Sequence, residues 1–175
     1  ALGLVASQKE FERIAWIKEF DPSCPRAVAD QHLLEQVLIN LLLNAAQATT
    51  GKGPVRVSTG AGLACRWGDG DYRAGRNFGS SDEVIAISIV DQGSGIPPDH
   101  LERIFEPFFS TKGRGQGSGL GLAICHSLIE ALHGALVVRS QLGAGTMVRV
   151  LLPAASATAA LRPAKTLDAE TARSG

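Results

Sequence analysis

Two asparagines stand one helical turn apart in an otherwise apolar stretch. Asn40 and Asn44 belong to segment 35–48, EQVLINLLLNAAQA, whose apolar residues recur at helical spacing. Residues four apart share one face of a helix, and amide groups among leucines need hydrogen-bond partners. Their carboxamide oxygens suit a hydrated Mg²⁺ ion, which accepts few protein ligands and keeps water and phosphate oxygens. The alternative is two solvated side chains on an exposed helix face.

A carboxylate closes a predicted strand further along the chain. Asp91 ends the apolar segment 84–91, and Gly93, Gly95 and Ile96 follow it. A carboxylate at the end of a buried strand needs a donor, and the exocyclic amine of a purine would supply one. The glycines would let a flat ring approach the backbone, and Ile96 would pack on that ring. The alternative is a tight turn capped by Asp91, because D-x-G sequences favour turns.

A glycine-rich segment precedes an apolar helix. Residues 105–119 read FEPFFSTKGRGQGSG, and helical spacing predicts a helix over 120–132, closed by a glycine. The first amides of a helix suit an anion such as phosphate, and Lys112 and Arg114 would neutralise phosphate charge. The spacing matches neither the Walker loop nor the dinucleotide fingerprint. The alternative is a flexible linker.

The same segment is predicted to act as a lid over bound phosphate. Glycines within 113–119 make an open state entropically favourable. Phe105, Phe108 and Phe109 are expected to anchor the hinge of this lid in the core, because a phenylalanine cluster beside a mobile loop is most often a core anchor.

Further patterns predict the elements that must position these groups. Asp30 is predicted to cap the helix that contains both asparagines. Residues 60–83 are predicted to be a variable insertion, a long hairpin excursion with one strand near 63–67. The other predicted elements are a helix over 31–49, strands over 13–20, 55–59 and 84–91, and two strands within 135–153 around a Gly-x-Gly turn. The expected fold is an α+β two-layer sandwich, a mixed sheet with helices on one face.

Bulk composition limits the possible functions. The chain has 175 residues, a formal net charge of zero and three cysteines without metal-ligand spacing. Such a charge balance predicts no partnership with nucleic acid or a membrane surface, and the cysteines are expected to be reduced thiols of a cytosolic protein. The expected organisation is a linker over 1–12, one domain over 13–153 and a disordered tail over 154–175.

Four stretches occur in one order: EQVLINLLLNAAQA, DQGSGIP, IFEPFFSTK and GSGLGLAI. Together they resemble the catalytic ATP-binding domain of bacterial sensor histidine kinases, a member of the superfamily that includes the gyrase, Hsp90 and MutL ATPases. The closing GAGTMVRVLLP is similar to the family's last strand, so the resemblance covers 14–153. It implies a Bergerat fold with a mainly antiparallel sheet, ATP and Mg²⁺ as cofactors, and transfer of the γ-phosphoryl group to a histidine.

The resemblance also implies roles for individual residues. Asn44 would hold Mg²⁺ with Asn40 supporting it, Asp91 would read adenine, and Thr146 would bond near Asp91 through water. Hydrolytic relatives carry a glutamate at the place of Asn40, and an amide cannot act as a base, so phosphotransfer is favoured over hydrolysis. The implied nucleotide-binding residues are Asn40, Asn44, Asp91, Gly93, Gly95, Ile96, Lys112, Arg114, Gly117, Gly119, Leu120, Gly121, Leu122 and Thr146.

The phosphoaccepting histidine of such kinases lies on a separate helical hairpin. The four histidines here, at 32, 100, 126 and 133, lack its sequence context and are interpreted as structural. The resemblance therefore implies two partners, that hairpin and the receiver domain of a response regulator, and a cytoplasmic location, with or without a membrane-anchored parent. The alternatives are a serine kinase of the anti-sigma type and a degenerate nucleotide-binding module.

Overall fold

A computed structural model of the chain describes residues 1–49, 53–64, 72–110 and 119–155. The strands of these residues are β1 Trp16–Phe20, β2 Val55–Leu63, β3 Tyr72–Gly75, β4 Glu83–Asp91, β5 Ala135–Gln141 and β6 Gly145–Pro153. The helices are α1 Leu2–Ala6, α2 Gln31–Thr49, α3 Pro98–Leu101 and α4 Gly121–Ala131, with a 3-10 turn at Lys9–Phe11.

The strands form one sheet in the spatial order β1-β2-β4-β6-β5-β3. β1 runs parallel to β2, and every other neighbouring pair in this sheet is antiparallel. Alternate residues of a strand point to opposite faces, and Ile89 and Val150 belong to the same core cluster as Val37 and Ile129 of the helices. The predicted α+β sandwich, with a mixed and mainly antiparallel sheet and helices on one face, is confirmed.

Helix α2 has the predicted bounds because its local signals agree. Oδ1 of Asp30 accepts hydrogen bonds from the backbone N–H groups of His32 at 2.8 Å and Leu33 at 3.0 Å. This side-chain cap satisfies amides that the first helical turn leaves unpaired. The buried residues that hold α2 against the sheet and α4 are Val37, Leu41, Leu42, Ala45 and Ala46.

Residues 60–83 differ from the predicted hairpin excursion. β2 continues to Leu63, and β3 pairs with β5 at the far edge of the sheet rather than with its neighbour in sequence. Phe78 packs against Val84, Val137 and other residues of the second sheet face. Burial of that apolar surface is the physical reason for the difference, since single-sequence patterns do not show which distant strand an edge strand joins. The strand predicted near 63–67 falls partly on residues outside the described ranges.

Both ends of the described chain are held more firmly than the sequence predicts. Val5 is fully buried and Phe11 is 1% exposed, so the segment predicted as a linker packs into the core. Ala154, predicted to begin a disordered tail, is 2% exposed and pairs with Ala27. Residues 156–175 lie outside the described ranges.

The end of α4 departs from the predicted glycine closure. His133 adopts the left-handed conformation, with φ of 53°, whereas Gly134 does not. A Cβ atom on Gly134 would lie 2.5 Å from the carbonyl oxygen of Leu151, so this glycine permits close approach to β6. No helix of the described residues has both the length and the apolar character that crossing a membrane requires.

Candidate functional site

A cavity of about 800 Å³ opens between α2, the ends of the central strands and the start of α4. Nine of the residues implied by sequence line it, namely Asn40, Asn44, Asp91, Gly95, Ile96, Gly119, Gly121, Leu122 and Thr146. Gly93 and Leu120 lie next to the cavity lining in sequence without forming part of it. Lys112, Arg114 and Gly117 lie outside the described residues, as does the predicted lid apart from Gly119, so these roles stay predictions.

The α2 wall brings the two asparagines to the cavity. Asn40 and Asn44 both line it, on a helix whose neighbouring residues Leu41 and Leu42 are buried. Among the described residues outside helix α4 itself, a Cβ atom on Gly121 would have one neighbour within 4 Å, the Asn44 side-chain nitrogen at 3.8 Å. Helix α4 therefore leaves space beside Asn44 that a ligand can occupy.

The sheet contributes an apolar pair of residues to the cavity and, beside it, a row of paired polar residues. Ile89 of β4 and Val148 of β6 are paired and line the cavity. Two residues along each strand, Asp91 pairs with Thr146, so both project to the same face as the apolar pair. Ser140 of β5 pairs with Thr146 from the other side.

Asp91 is fixed by backbone donors. Its side chain is 6% exposed, and Oδ1 accepts hydrogen bonds from the N–H groups of Gly93 at 2.8 Å and Thr146 at 3.3 Å. Burial raises the pKa of the Asp91 carboxyl above its usual value of 3.8, while these two hydrogen bonds act in the opposite direction. Both of these contacts use Oδ1, so within the described part of the chain Oδ2 remains for a donor on a ligand. Asp91 thus caps its turn and also faces the cavity, which combines the two sequence interpretations.

Gly93 and Gly95 permit close packing of backbone segments, a role that the sequence did not predict. A Cβ atom on Gly93 would lie 2.4 Å from the carbonyl oxygen of Ala48. Gly95 has φ of 66°, and its Cβ atom would lie 2.0 Å from the carbonyl oxygen of Gln141. These glycines therefore let the turn pack against α2 and the β5–β6 hairpin, and the approach of a flat ring to this turn stays a prediction.

The phenylalanine cluster is split between core and surface. Phe108 is 78% exposed and has φ of 67°, so the prediction that it anchors the hinge is wrong. Phe105 and Phe109 pack against Leu101 and Ile104, as expected. The left-handed backbone at Phe108 turns its side chain away from this cluster.

Phe109 is also a wall of the cavity, a role that the sequence did not predict. The guanidinium carbon of Arg103 lies 4.6 Å from the centroid of its ring, and the His100 ring meets it edge-on at 5.4 Å. Gly119 closes this side, because a Cβ atom there would lie 2.5 Å from the Phe108 carbonyl carbon. The φ of 68° at Gly119 likewise favours glycine at this position.

The start of α4 offers backbone donors. Leu120 occupies the N-cap position, and its apolar side chain has no group that could cap the helix. Gly121 and Leu122, the first helical residues, line the cavity. The amides of a first helical turn, together with the positive end of the helix dipole, favour a bound anion.

The donor set limits which cation could bind. Among the described residues, no three His, Cys, Asp or Glu side chains come close enough together to hold a metal ion. Neutral oxygens of Asn40 and Asn44 fit an ion that keeps water and takes its charged ligands from a bound molecule, as Mg²⁺ does. The buried thiol of Cys125, whose pKa burial raises to about 12, is protonated and not a metal ligand at neutral pH.

Several residues that line the cavity were not predicted from the sequence. Strand alternation from Asp91 would have identified Ile89, and alternation from Thr146 would have identified Val148. No local signal points to Glu10, which reaches the cavity from the N-terminal segment. The other unpredicted lining residues are Leu41, Leu43, Ala45, Gln47, Ala48, Ser94, Ile104, Phe109 and Ser110.

Relatives of known function share this arrangement of sequence. The model of the histidine kinase-, DNA gyrase B-, and HSP90-like ATPase family matches residues 29–156. The sensory histidine kinase/phosphatase NtrB of Rhodobacter capsulatus is 37% identical over 140 residues, which cover 79% of this chain and 37% of NtrB. The signal transduction histidine-protein kinase AtoS of Escherichia coli is 38% identical over 141 residues, 81% of this chain and 20% of AtoS. The chain thus spans between a fifth and two fifths of these relatives.

Solved structures show the same fold. Full-length ShkA in complex with AMPPNP is 28% identical, with a TM-score of 0.66 over 87% of this chain and 28% of ShkA. The mycobacterial sensor histidine kinase MprB is 27% identical, with a TM-score of 0.62 over 87% of this chain and 89% of the MprB chain. The matched family, the relatives and the fold lead to one conclusion: this chain belongs to the histidine kinase-, DNA gyrase B-, and HSP90-like ATPases and contains the ATP-binding domain of that family.

Proposed function

We propose that this chain is the ATP- and Mg²⁺-binding domain of a two-component sensor histidine kinase. It donates the γ-phosphoryl group of ATP to a histidine on a separate helical hairpin, and a response-regulator receiver domain receives it next. The sensor kinases among its relatives support this proposal. The observation that carries it is the buried Asp91 carboxylate, held by two backbone donors at one side of a cavity whose other wall presents Asn40 and Asn44.

The sheet side of the cavity suits adenine. Asp91 offers an acceptor of fixed orientation to the exocyclic amine, and the desolvated surroundings strengthen that hydrogen bond. Ile89, Ile96 and Val148 supply apolar surface for the ring. An acceptor in this position disfavours guanine, whose equivalent group is a carbonyl oxygen.

The helix side of the cavity suits the phosphates. Amides at Gly121 and Leu122 provide donors that need no reorganisation when charge develops. Asn44, with Asn40, would hold Mg²⁺, which when bound neutralises charge on phosphate oxygens. Phosphoryl transfer depends mainly on such positioning and charge neutralisation.

The chemistry of the lining favours transfer over hydrolysis. The two carboxylates that line the described cavity are Asp91, whose Oδ1 is engaged by backbone donors, and Glu10, which is exposed on the N-terminal segment. Asn40, where hydrolytic relatives carry a glutamate, cannot activate water. We expect slow ATP hydrolysis by the isolated chain and rapid transfer once an acceptor histidine is supplied.

The partners and location follow from the same proposal. The phosphoacceptor hairpin would connect through the N-terminal segment, which packs on α2 through Val5 and Phe11. We place the domain, which comprises 13–153 with the N-terminal segment packed on it through Val5 and Phe11, in the cytoplasm, where ATP is supplied.

Two measurements test this function. Titration calorimetry of the full chain with Mg²⁺ and AMPPNP should show one binding site, with much weaker binding of the guanine analogue. Incubation of the chain with γ-labelled ATP and the hairpin domain of its own kinase should label the hairpin with an acid-labile, base-stable phosphate, as phosphohistidine requires. Absence of nucleotide binding would refute the proposal, and an acid-stable phosphoserine product would assign the domain to a serine kinase.

A further inference from the structure

We propose that Ser140 is a positioning residue for base recognition, because its hydroxyl sets the orientation of the Thr146 hydroxyl and thereby the donor and acceptor pattern that the cavity presents. The inference rests on the proposed binding of ATP. Ser140 itself is not among the residues that line the cavity, so it acts through its neighbours.

The sheet register brings three polar side chains into one row. Asp91 of β4 pairs with Thr146 of β6, and Thr146 pairs with Ser140 of β5. Strand alternation projects all three to the helix-covered face, where Asp91 and Thr146 meet the cavity. Polar groups in this half-buried row need mutual hydrogen bonds, so the orientation of one determines that of the next.

The Ser140 hydroxyl has three neighbours and uses its full capacity. The Ile96 N–H donates to its oxygen at 2.9 Å, the Gly145 carbonyl oxygen lies at 3.0 Å, and the Thr146 Oγ1 lies at 2.8 Å. A serine hydroxyl has one proton and two lone pairs. An amide N–H can only donate and a carbonyl can only accept, so Ser140 donates to Gly145 and accepts from Ile96.

One donor assignment for the contact between Ser140 and Thr146 allows all three contacts of the Ser140 hydroxyl to be hydrogen bonds. Because the Ser140 proton is engaged with Gly145, the Thr146 hydroxyl must donate to Ser140. The Thr146 oxygen then has only lone pairs left for the cavity, beside the Asp91 carboxylate. The row therefore presents acceptors, which match the amine of adenine or a water bound to it and oppose the carbonyl of guanine.

Ser140 also connects two segments of the cavity wall. Ile96 belongs to the turn after β4 and lines the cavity, whereas Gly145 begins β6. A Cβ atom on Gly95 would meet the Gln141 carbonyl oxygen at 2.0 Å, so this turn and the β5–β6 hairpin are in direct contact. Loss of the Ser140 hydroxyl would leave the Ile96 donor and the Gly145 acceptor without this partner.

The test compares base selectivity among matched variants of the full chain. Affinities of AMPPNP and its guanine analogue are measured by calorimetry for the wild type, Ser140→Ala, Ser140→Thr and Ser88→Ala. Ser88 is the matched control, because it is a buried serine on β4 that bonds Arg149 on the opposite sheet face. Ser140→Cys retains side-chain bulk with a weak hydrogen-bonding group and replaces Ser140→Ala if that variant does not fold.

We expect Ser140→Ala to lower the affinity for AMPPNP about five- to tenfold, since one hydrogen bond that orients the site is lost. The affinity for the guanine analogue should fall less or rise, so the selectivity ratio narrows. Ser140→Thr and Ser88→Ala should keep the wild-type ratio.

Three outcomes would overturn the inference. If Ser140→Ala keeps the wild-type ratio of the affinity for AMPPNP to that for the guanine analogue, even with both affinities lowered equally, Ser140 has no part in base selection. Loss of selectivity in Ser88→Ala as well would assign the effect to general destabilisation of the sheet. Absence of AMPPNP binding by the wild type would refute the proposed function and this inference together, whereas the first two outcomes leave nucleotide binding in place.

Discussion

The two glycine-bearing turns of the cavity differ in what their missing side chains make possible. At Gly93 and Gly95 a Cβ atom would meet backbone oxygens at 2.4 and 2.0 Å, so these glycines let protein pack against protein. At Gly121 the neighbour that a Cβ atom would meet in the described part of the chain is a side-chain nitrogen at 3.8 Å. The first turn builds a rigid wall around Asp91, and the second leaves room for a ligand beside Asn44.

The sequences are similar, GSG at 93–95 and GLG at 119–121, but their glycines have different physical roles. Gly95 and Gly119 share a positive φ and a close backbone neighbour, so the packing of the fold requires glycine at both positions. Gly121, two residues further on, begins a helix and faces the cavity. Stability and ligand affinity should therefore respond separately to substitutions in the two turns.

The largest effect is expected for Gly95→Ala. A side chain would have to occupy a left-handed backbone and displace the Gln141 carbonyl, so the free energy of unfolding should fall by about 3 kcal/mol or more. Chemical denaturation measures this loss. Gly60→Ala is the control, since no heavy atom of the described residues, apart from those adjacent in the chain, lies within 4 Å of its Cβ position. Similar stability of the two variants would contradict the packing role of Gly95.

Asp91→Asn should weaken nucleotide binding without weakening the fold. The carbonyl oxygen of the introduced carboxamide can accept the hydrogen bonds from Gly93 and Thr146, which puts the amide nitrogen in the place of Oδ2, opposite the adenine amine. We expect a loss of about 1–3 kcal/mol in binding free energy, measured by calorimetry with AMPPNP. An unchanged affinity would mean that Asp91 only caps its turn.

The difference in unfolding free energy between the wild type and Asp91→Asn should depend on pH, because Asp91 titrates and asparagine does not. Burial raises the pKa of Asp91 in the folded chain above 3.8, so the folded state binds this proton more tightly than the unfolded state. Ionisation of Asp91 therefore lowers wild-type stability as the pH rises from 3.8 through the raised pKa. The stability of Asp91→Asn relative to the wild type should increase across that window and level off above it. Denaturation at acidic and neutral pH tests this, and a difference that shrinks with rising pH would contradict it.

The smallest effect on stability is expected for Gly121→Ala, in the turn that leaves room for a ligand. Alanine is the better helix former, so the free energy of unfolding should stay within about 1 kcal/mol of the wild type. The new methyl group would occupy space beside Asn44, and the affinity for AMPPNP should fall about tenfold. Ser127→Ala, an exposed change on the same helix, is the control for helix propensity. Full nucleotide affinity in Gly121→Ala would show that the open space is not used.

Local signals account for the parts of the fold that the sequence predicted well. Helix α2 has its predicted bounds because the apolar periodicity and the Asp30 cap agree. That periodicity also puts Asn40 and Asn44 on one face, and the strand ending at Asp91 follows from its apolar run. These features depend on residues close together in the chain.

Other features of the fold depend on contacts between segments that are distant in the sequence. The pairing of β3 with β5, the burial of Phe11 and the outward position of Phe108 result from contacts that no local pattern contains. The polar row of Asp91, Thr146 and Ser140 was equally hidden, since it requires the register between β4 and strands about 50 residues away. The sequence predicted which residues would carry the chemistry and which helices and strands hold them. Strand register and packing alone determined their mutual positions, because a hydrogen bond or steric contact depends on distances that sequence separation does not specify.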